Sequence, residues 1–187
     1  MYRLIRLSQP AAEPISLTDA KAHLRVDGST DDALIGAMIS AARDYCERYC
    51  NRAWAKADFM QVFPAFPESG GIELTDPGAS DVIGIEYLDE SGAHASIAGS
   101  SLTLDADLGV IDYAVSWPVG TRVKASYTAG ADADLSAPEY VPEAVIQAML
   151  LVLTAMYENR GAQQWQALYE NPAADRLMYF YRVGLGV

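Results

Sequence analysis

The sequence predicts an α+β fold: a small bundle of about four helices, with an antiparallel β-subdomain inserted between the second and third. Three observations carry this prediction. Residues 31–50 and 141–160 hold apolar side chains at helical or nearly continuous spacing. Between about residues 56 and 128 the apolar period changes to two, in short runs broken by Pro, Gly, Ser and Asp. The chain has 187 residues, 51% of them hydrophobic, enough to bury a real core as one domain spanning 1–187.

The first residues, Met1–Pro14, show no periodicity and read as a short irregular arm. Ser16 with Asp19 three residues on forms a capping-box-like start, in which each side chain satisfies an orphan backbone N–H. The helix it opens, about 17–26, places Leu17, Ala20 and Leu24 on one face. Asp27–Thr30 is a polar turn, and Ser29 or Thr30 offers a cap for a second helix over about 31–50. There Leu34, Ile35, Met38, Ile39, Ala42, Tyr45, Cys46 and Tyr49 share one face. Asp32, Arg43, Asp44, Glu47 and Arg48 fill the other.

Strands are predicted at 59–66, 72–74, 82–88, 93–97, 102–104, 110–113 and 123–127. Asp89–Gly92 reads as a hairpin connection. Val123, Ala125 and Tyr127 alternate with Lys124 and Ser126, so one face of that strand is buried and the other wet. An acidic linker, 129–140, leads to a third helix over about 141–160. Pro142 suits its first position, and Arg160 with Gly161 its end. Asn171-Pro172 caps a fourth helix, about 172–182, and the tail beyond Val183 is Gly-rich.

The third helix dominates the reading. Ala144–Tyr157 is apolar except for Gln147 and Thr154. A membrane span needs about 20 consecutive apolar residues, so this run is too short to be one. A helix apolar on every side must be covered on every side. The expectation is burial by its own domain on one side and by a neighbouring copy on the other. Met149, Leu150, Leu153, Met156 and Tyr157, with Trp165 beyond, are the candidate subunit-interface residues.

Signals for catalysis are weak. Cys46 and Cys50 stand four apart on a helix, with only His23 and His94 as further soft ligands and no metal-site spacing, so buried free thiols are expected. Asp19, Asp27, Asp31 and Asp32 lack the pattern of a calcium loop and serve better as caps and helix-dipole partners. His23 with Asp19 has acid–base spacing, but no nucleophile elbow, phosphate loop or HExxH accompanies it. No enzyme activity, cofactor or metal is expected. The N-terminus has no apolar run of signal-peptide length, and a reducing compartment is expected. A net charge of −12 opposes gripping a nucleic-acid backbone, yet suits a surface that DNA passes without adhering. Tyr179, Phe180 and Tyr181 followed by Arg182 are different. Neighbours on a helix diverge by about 100°, so at least one of these aromatics is exposed, and Tyr and Arg are enriched where proteins meet.

Several stretches in order resemble the head–tail connector (adaptor) proteins of long-tailed bacteriophages and prophages. They are Ile15–Asp32 with the proline before it (PISLTDAKAHLRVDGSTDD), Ile85–Gly92 (IEYLDESG), Ser126–Gly130 (SYTAG), Tyr157–Arg160 (YENR) and Leu177–Val183 (LMYFYRV). Met178-Tyr179-Phe180 is more aromatic than the family's usual ending. The resemblance implies a structural virion protein of the neck, present in the host cytoplasm during assembly. It would form a ring under the portal protein, complete the DNA-filled head, and meet a tail or stopper protein. DNA would pass through without specific binding. Tyr179, Phe180, Tyr181 and Arg182 become the candidate portal contacts, on a C-terminal segment, 171–187, expected to be mobile until assembly. Two other readings remain open at this point. One is a stopper or tail terminator, which the helices at both ends disfavour. The other is a small enzyme or ligand-binding module built on Asp19, His23 and Asp27.

Overall fold

The computed structural model describes residues 3–75, 78–131, 141–159 and 171–183. The chain forms two compact units, one of Met1–Ala11 with Lys56–Ala131 and the other of Ala12–Ala55 with Asp132–Val187. Helices and antiparallel strands are thus segregated, as an α+β fold requires.

In the β unit the strands are β1 (Arg3–Arg6), β2 (Ala57–Ala65), β3 (Ile72–Glu73), β4 (Ala79–Leu88), β5 (His94–Ala98), β6 (Leu102–Asp105), β7 (Val110–Tyr113) and β8 (Thr121–Ala129). One sheet has the order β1-β2-β8-β4-β5, a second β3-β7-β6, and every pair is antiparallel. The alternation read from β8 is realised: Val123, Ala125, Tyr127 and Ala129 are fully buried while Thr121 and Arg122 are exposed. Phe59 of β2 stacks on Tyr127 with ring centroids 6.2 Å apart. Gln61 is a buried polar side chain on that same face, and its Oε1 accepts from the Thr75 N–H at 2.9 Å. The hairpin at Asp89–Gly92 is tied by the Asp89 carboxylate, which accepts from the N–H groups of Ser91 and Ala93 and from the Ser91 hydroxyl. These bonds, the Ser91 hydroxyl first, hold its pKa below the usual aspartate value.

One sequence expectation fails here. The irregular arm contains β1, which pairs with β2 from Arg3 opposite Val62 to Arg6 opposite Phe59. Four residues are too few to show a period, and their strand state comes from the β2 edge they complete.

The helical unit contains α1 (Leu17–Leu24), α2 (Asp32–Cys50), α3 (Glu143–Glu158) and α4 (Pro172–Met178), followed by a 3₁₀ turn, Tyr179–Tyr181. The cap at Ser16 is present: its hydroxyl accepts from the Asp19 N–H at 3.1 Å and donates to the Asp19 carboxylate at 2.6 Å. Arg25 in the left-handed region stops α1 one residue after Leu24, two short of the expected end. The cap expected from Ser29 or Thr30 is not made; Asp31 is the N-cap of α2 and makes no side-chain capping bond. Its Oδ2 instead accepts from the Tyr157 hydroxyl at 2.7 Å, tying the start of α2 to the end of α3.

The core of this unit is Ile35, Ile39, Ala42, Cys46 and Cys50 of α2 against Val145, Ala148, Met149, Val152 and Leu153 of α3, closed by Ala174 and Met178 of α4. Burying each large aliphatic side chain stabilises by about 1.5–3 kcal/mol. The thiols of Cys46 and Cys50 are free and fully buried. Burial, before any charge effect, raises their pKa values to about 12 and about 11.

Arg43 and Glu47 depart from the expected solvated face, being 1% and 7% exposed. Arg43 donates to Glu13 at 2.7 Å, Asp44 at 2.8 Å and Glu47 at 2.8 Å. Desolvation opposes the Arg43 charge, but the Glu13 hydrogen bond and the fields of Glu47, Glu13 and Asp44 outweigh it and raise its pKa. The other oxygen of Glu47 accepts from the backbone N–H groups of Trp54 at 2.9 Å and Ala55 at 3.3 Å.

Candidate functional site

Among the described residues, two clusters of aromatic side chains reach the surface. The first is the turn that follows α4, and its base is firmly held. Met178 and Ala174 are wholly buried, and Tyr45 of α2 donates to Asp175 at 3.0 Å. Desolvation, then that hydrogen bond, raises the Tyr45 pKa to about 12. The Val183 N–H donates to the Cys50 carbonyl at 2.8 Å. Arg182 donates to the Tyr49 carbonyl at 3.0 Å, with its guanidinium 4.8 Å from the Tyr49 ring centre. The Tyr181 ring meets Trp54 edge-on at 6.1 Å. Only Tyr179 and Phe180 point outward, 54% and 89% exposed.

The expected portal-contact set is therefore divided. Tyr179 and Phe180 are free for a partner, whereas Tyr181 and Arg182 fasten the segment to α2. As far as Val183 the C-terminal segment is docked on the core, contrary to the expectation of a mobile piece, because Met178 fills the end of the α2–α3 interface. The fourth helix also ends earlier than expected, at Met178.

The subunit-interface set needs a larger correction. Met149, Leu150 and Leu153 are 1%, 8% and 0% exposed, and α3 packs on α1, α2 and α4. They are core residues of this chain and present no face to a neighbour. Met156 and Tyr157 are half-buried. Trp165 lies outside the described residues, as do Arg160, Gly161 and the tail beyond Val183. Among the described residues, no large apolar side chain of α3 is exposed. The helix is covered because partners from three other helices surround it, which its own sequence cannot reveal.

The second outward feature is a cleft of about 670 Å³ in the β unit, between the loops after β2 and after β7. Phe66 and Trp117 stack at 5.2 Å with planes 17° apart, Tyr113 lies 5.4 Å from Trp117, and Tyr87 meets Phe66 edge-on at 5.0 Å. The Trp117 indole N–H donates to the Gly70 carbonyl at 2.8 Å, which fixes the ring. Glu68 and Asp112 also line the cleft. The sequence places Phe66, Tyr87 and Tyr113 in or at the ends of predicted strands and assigns Trp117 to none. Trp117-Pro118 in a Gly- and Ser-bounded loop was the available signal, but its pairing with Phe66 depends on the sheet.

Asp19, His23 and Asp27 have separate surroundings. Asp19 is held by Ser16, His23 Nε2 lies 3.0 Å from the Thr154 hydroxyl, and Asp27 is exposed. Lys21 salt-bridges Asp32 at 2.6 Å. Among the described residues, no three His, Cys, Asp or Glu side chains are grouped to hold a metal ion, and no helix is long and apolar enough to cross a membrane.

Residues 14–76, from the turn before the Ser16 cap through β3, match the family described as phage gp6-like head–tail connector proteins. The match covers about a third of the chain. A 42-residue stretch of the chain is 50% identical to the head completion protein gp6 of Enterobacteria phage HK97, covering 22% of this chain and 39% of that protein. The matched segment supplies α1, α2 and the buried Arg43–Glu47 pair. Fold similarity extends much further. A chain from the neck of an empty gene transfer agent (GTA) particle, computed with C6 symmetry, superposes with a TM-score of 0.74 at 21% identity, covering 99% of this chain and 97% of that one. A chain of the native GTA virion gives 0.73 at 22% identity, covering 98% and 97%. A chain from the native GTA neck, computed with C12 symmetry, gives 0.67 at 21% identity, covering 99% and 97%.

Proposed function

We propose that this chain is a structural protein of the neck of a tailed phage or phage-derived particle, joining the DNA-filled head to the tail without catalysis. The single observation that carries the reading is joint: a connector-family segment, residues 14–76, lies within a chain whose fold follows GTA neck proteins over nearly its whole length. In this role copies stand side by side in a ring beneath the portal protein, as part of the virion and, before that, of the host cytoplasm. A tail or stopper protein meets the opposite side. Tyr179 and Phe180 are the residues assigned to the portal contact: they are outward-facing aromatics on a rigid base, an arrangement that limits the entropy lost on docking. The net charge of −12 supports a bore that DNA traverses without binding.

The test is deletion of the gene from the particle that encodes it, followed by electron microscopy of lysates. DNA-filled or leaking heads without tails are expected, with tailed particles restored by the chain supplied in trans. Normal numbers of tailed particles from the deletion would overturn the assignment. A Tyr179→Ser/Phe180→Ser chain is expected to fold normally and to fail in that complementation.

A further inference from the structure

We propose that the cleft in the β unit is a docking site for an extended segment of another protein in which prolines alternate with arginines. The neck assignment says nothing of this site, and the proposal stands or falls without it.

The cleft is built in advance. Its principal aromatic surface, Phe66 on Trp117, is locked by the indole hydrogen bond to Gly70. Close approach of the flanking loop rests on a glycine: a Cβ at Gly120 would meet Tyr87 Cδ2 at 2.5 Å and the Leu88 carbonyl at 3.0 Å. Preformed aromatic grooves are what a polyproline helix requires, because its rings pack flat on aromatic faces and its backbone is already ordered before binding. Val115 and Val119, 62% and 71% exposed, extend the apolar surface at the rim.

Charge then selects the occupant. The charged lining residues are Glu68 and Asp112, and none of the described lining residues is basic. A guanidinium can stack on an aromatic face while pairing with a carboxylate, which favours arginine over lysine. A phosphate-bearing or acidic ligand is repelled by the same two carboxylates. A second copy of this chain is disfavoured by its own sequence, in which none of the nine prolines stands next to a Lys or Arg.

Isothermal titration of the full chain with the peptide PRPPRPPRPP tests the proposal, with PEPPEPPEPP and GRGGRGGRGG as comparators. The expected Kd for the first is about 10–500 μM, the range reached by a short preordered peptide with few anchors. The acidic peptide should show no binding, and the glycine peptide should bind at least about fivefold more weakly, since it must be ordered on docking. Trp117→Ala should weaken the first peptide at least about tenfold, the loss of a central aromatic anchor. Should that variant fold poorly, Val115→Arg replaces a well-exposed rim residue by a repelling, bulky one and should give a similar loss. Three results would overturn the proposal. One is absence of binding to PRPPRPPRPP. Another is equal binding of the two arginine peptides, unaffected by either variant, which is diffuse attraction to an acidic chain. The last is self-association in sedimentation that Val115→Arg abolishes, which would make a second copy the occupant.

Discussion

Arg43→Met removes a paired cation from a buried carboxylate while keeping most of the side-chain volume. The carboxylates it leaves behind are not equally affected. Glu13 and Asp44 have side chains 27% and 48% exposed and rehydrate at little cost. Glu47, at 7%, cannot, although it keeps the N–H groups of Trp54 and Ala55. Removing one partner of a buried pair costs about 3–5 kcal/mol, and those two retained bonds place this case near about 3 kcal/mol. At about 2–4 °C per kcal/mol for a cooperative chain of 187 residues, the protein should melt roughly 6–12 °C lower. Glu47→Gln keeps the acceptor for Trp54 and Ala55 but deletes the charge, so Arg43→Met/Glu47→Gln should be more stable than Arg43→Met alone by about 1–2 kcal/mol. Guanidinium denaturation followed at 222 nm measures both. An Arg43→Met chain within 1 kcal/mol of the parent, or a double variant no more stable than the single one, would refute the reasoning.

Three further outcomes follow from the packing. Met178→Ala should cost the helical unit about 2–5 kcal/mol, whereas Phe180→Ala should change denaturation by less than about 0.5 kcal/mol; equal effects would contradict the division of that segment into anchor and exposed tip. Gly99→Ala should destabilise the β unit by about 1–3 kcal/mol, because its Cβ would overlap the Val82 carbonyl and press on Ile83, and a neutral result in thermal denaturation would show that β4 moves aside. With folded-state thiol pKa values of about 12 and about 11 against about 8.5 unfolded, Cys46 and Cys50 should resist a thiol reagent at pH 8 until denaturant is added, and stability should be intact below about pH 8 and fall as pH rises toward 11–12 while the unfolded thiols ionise first. Rapid labelling of the native chain at pH 8 would contradict their burial.

Much of the fold was legible because it rests on local periodicity. The alternation in residues 121–127 and the heptad-like apolar face of residues 34–49 read as a half-buried strand and an amphipathic helix, and both exist. The Ser16–Asp19 cap was legible for the same reason. What failed depends on residues far apart in sequence. β1 is a strand only because β2 offers an edge. Arg43 and Glu47 read as part of a solvated helix face, since nothing local says that Glu13 and the Trp54–Ala55 backbone close over them. α3 was judged to have a face to spare, yet three other helices cover it. Of the partner-contact residues, the sequence could say that some aromatic in 179–181 is exposed, but not that Tyr181 lies against Trp54. The cleft at Trp117 was invisible, because its walls come from loops about fifty residues apart in the chain.

The Lys56 N–H donates to the Ala131 carbonyl at 3.0 Å, and Ala57 pairs with Ala129 on the neighbouring strand across β2 and β8. The polypeptide thus enters and leaves the large β segment through adjacent doorways. A segment with touching ends can be cut out and its stumps rejoined by a short bridge with little strain on what remains. Among the described residues, the sheet strand left stranded by such surgery is β1, which precedes α1 in the chain. A graft that carried a copy of that strand along, appended after Ala131 by a loop, would be a transplantable module, and its cleft could be studied away from the helices.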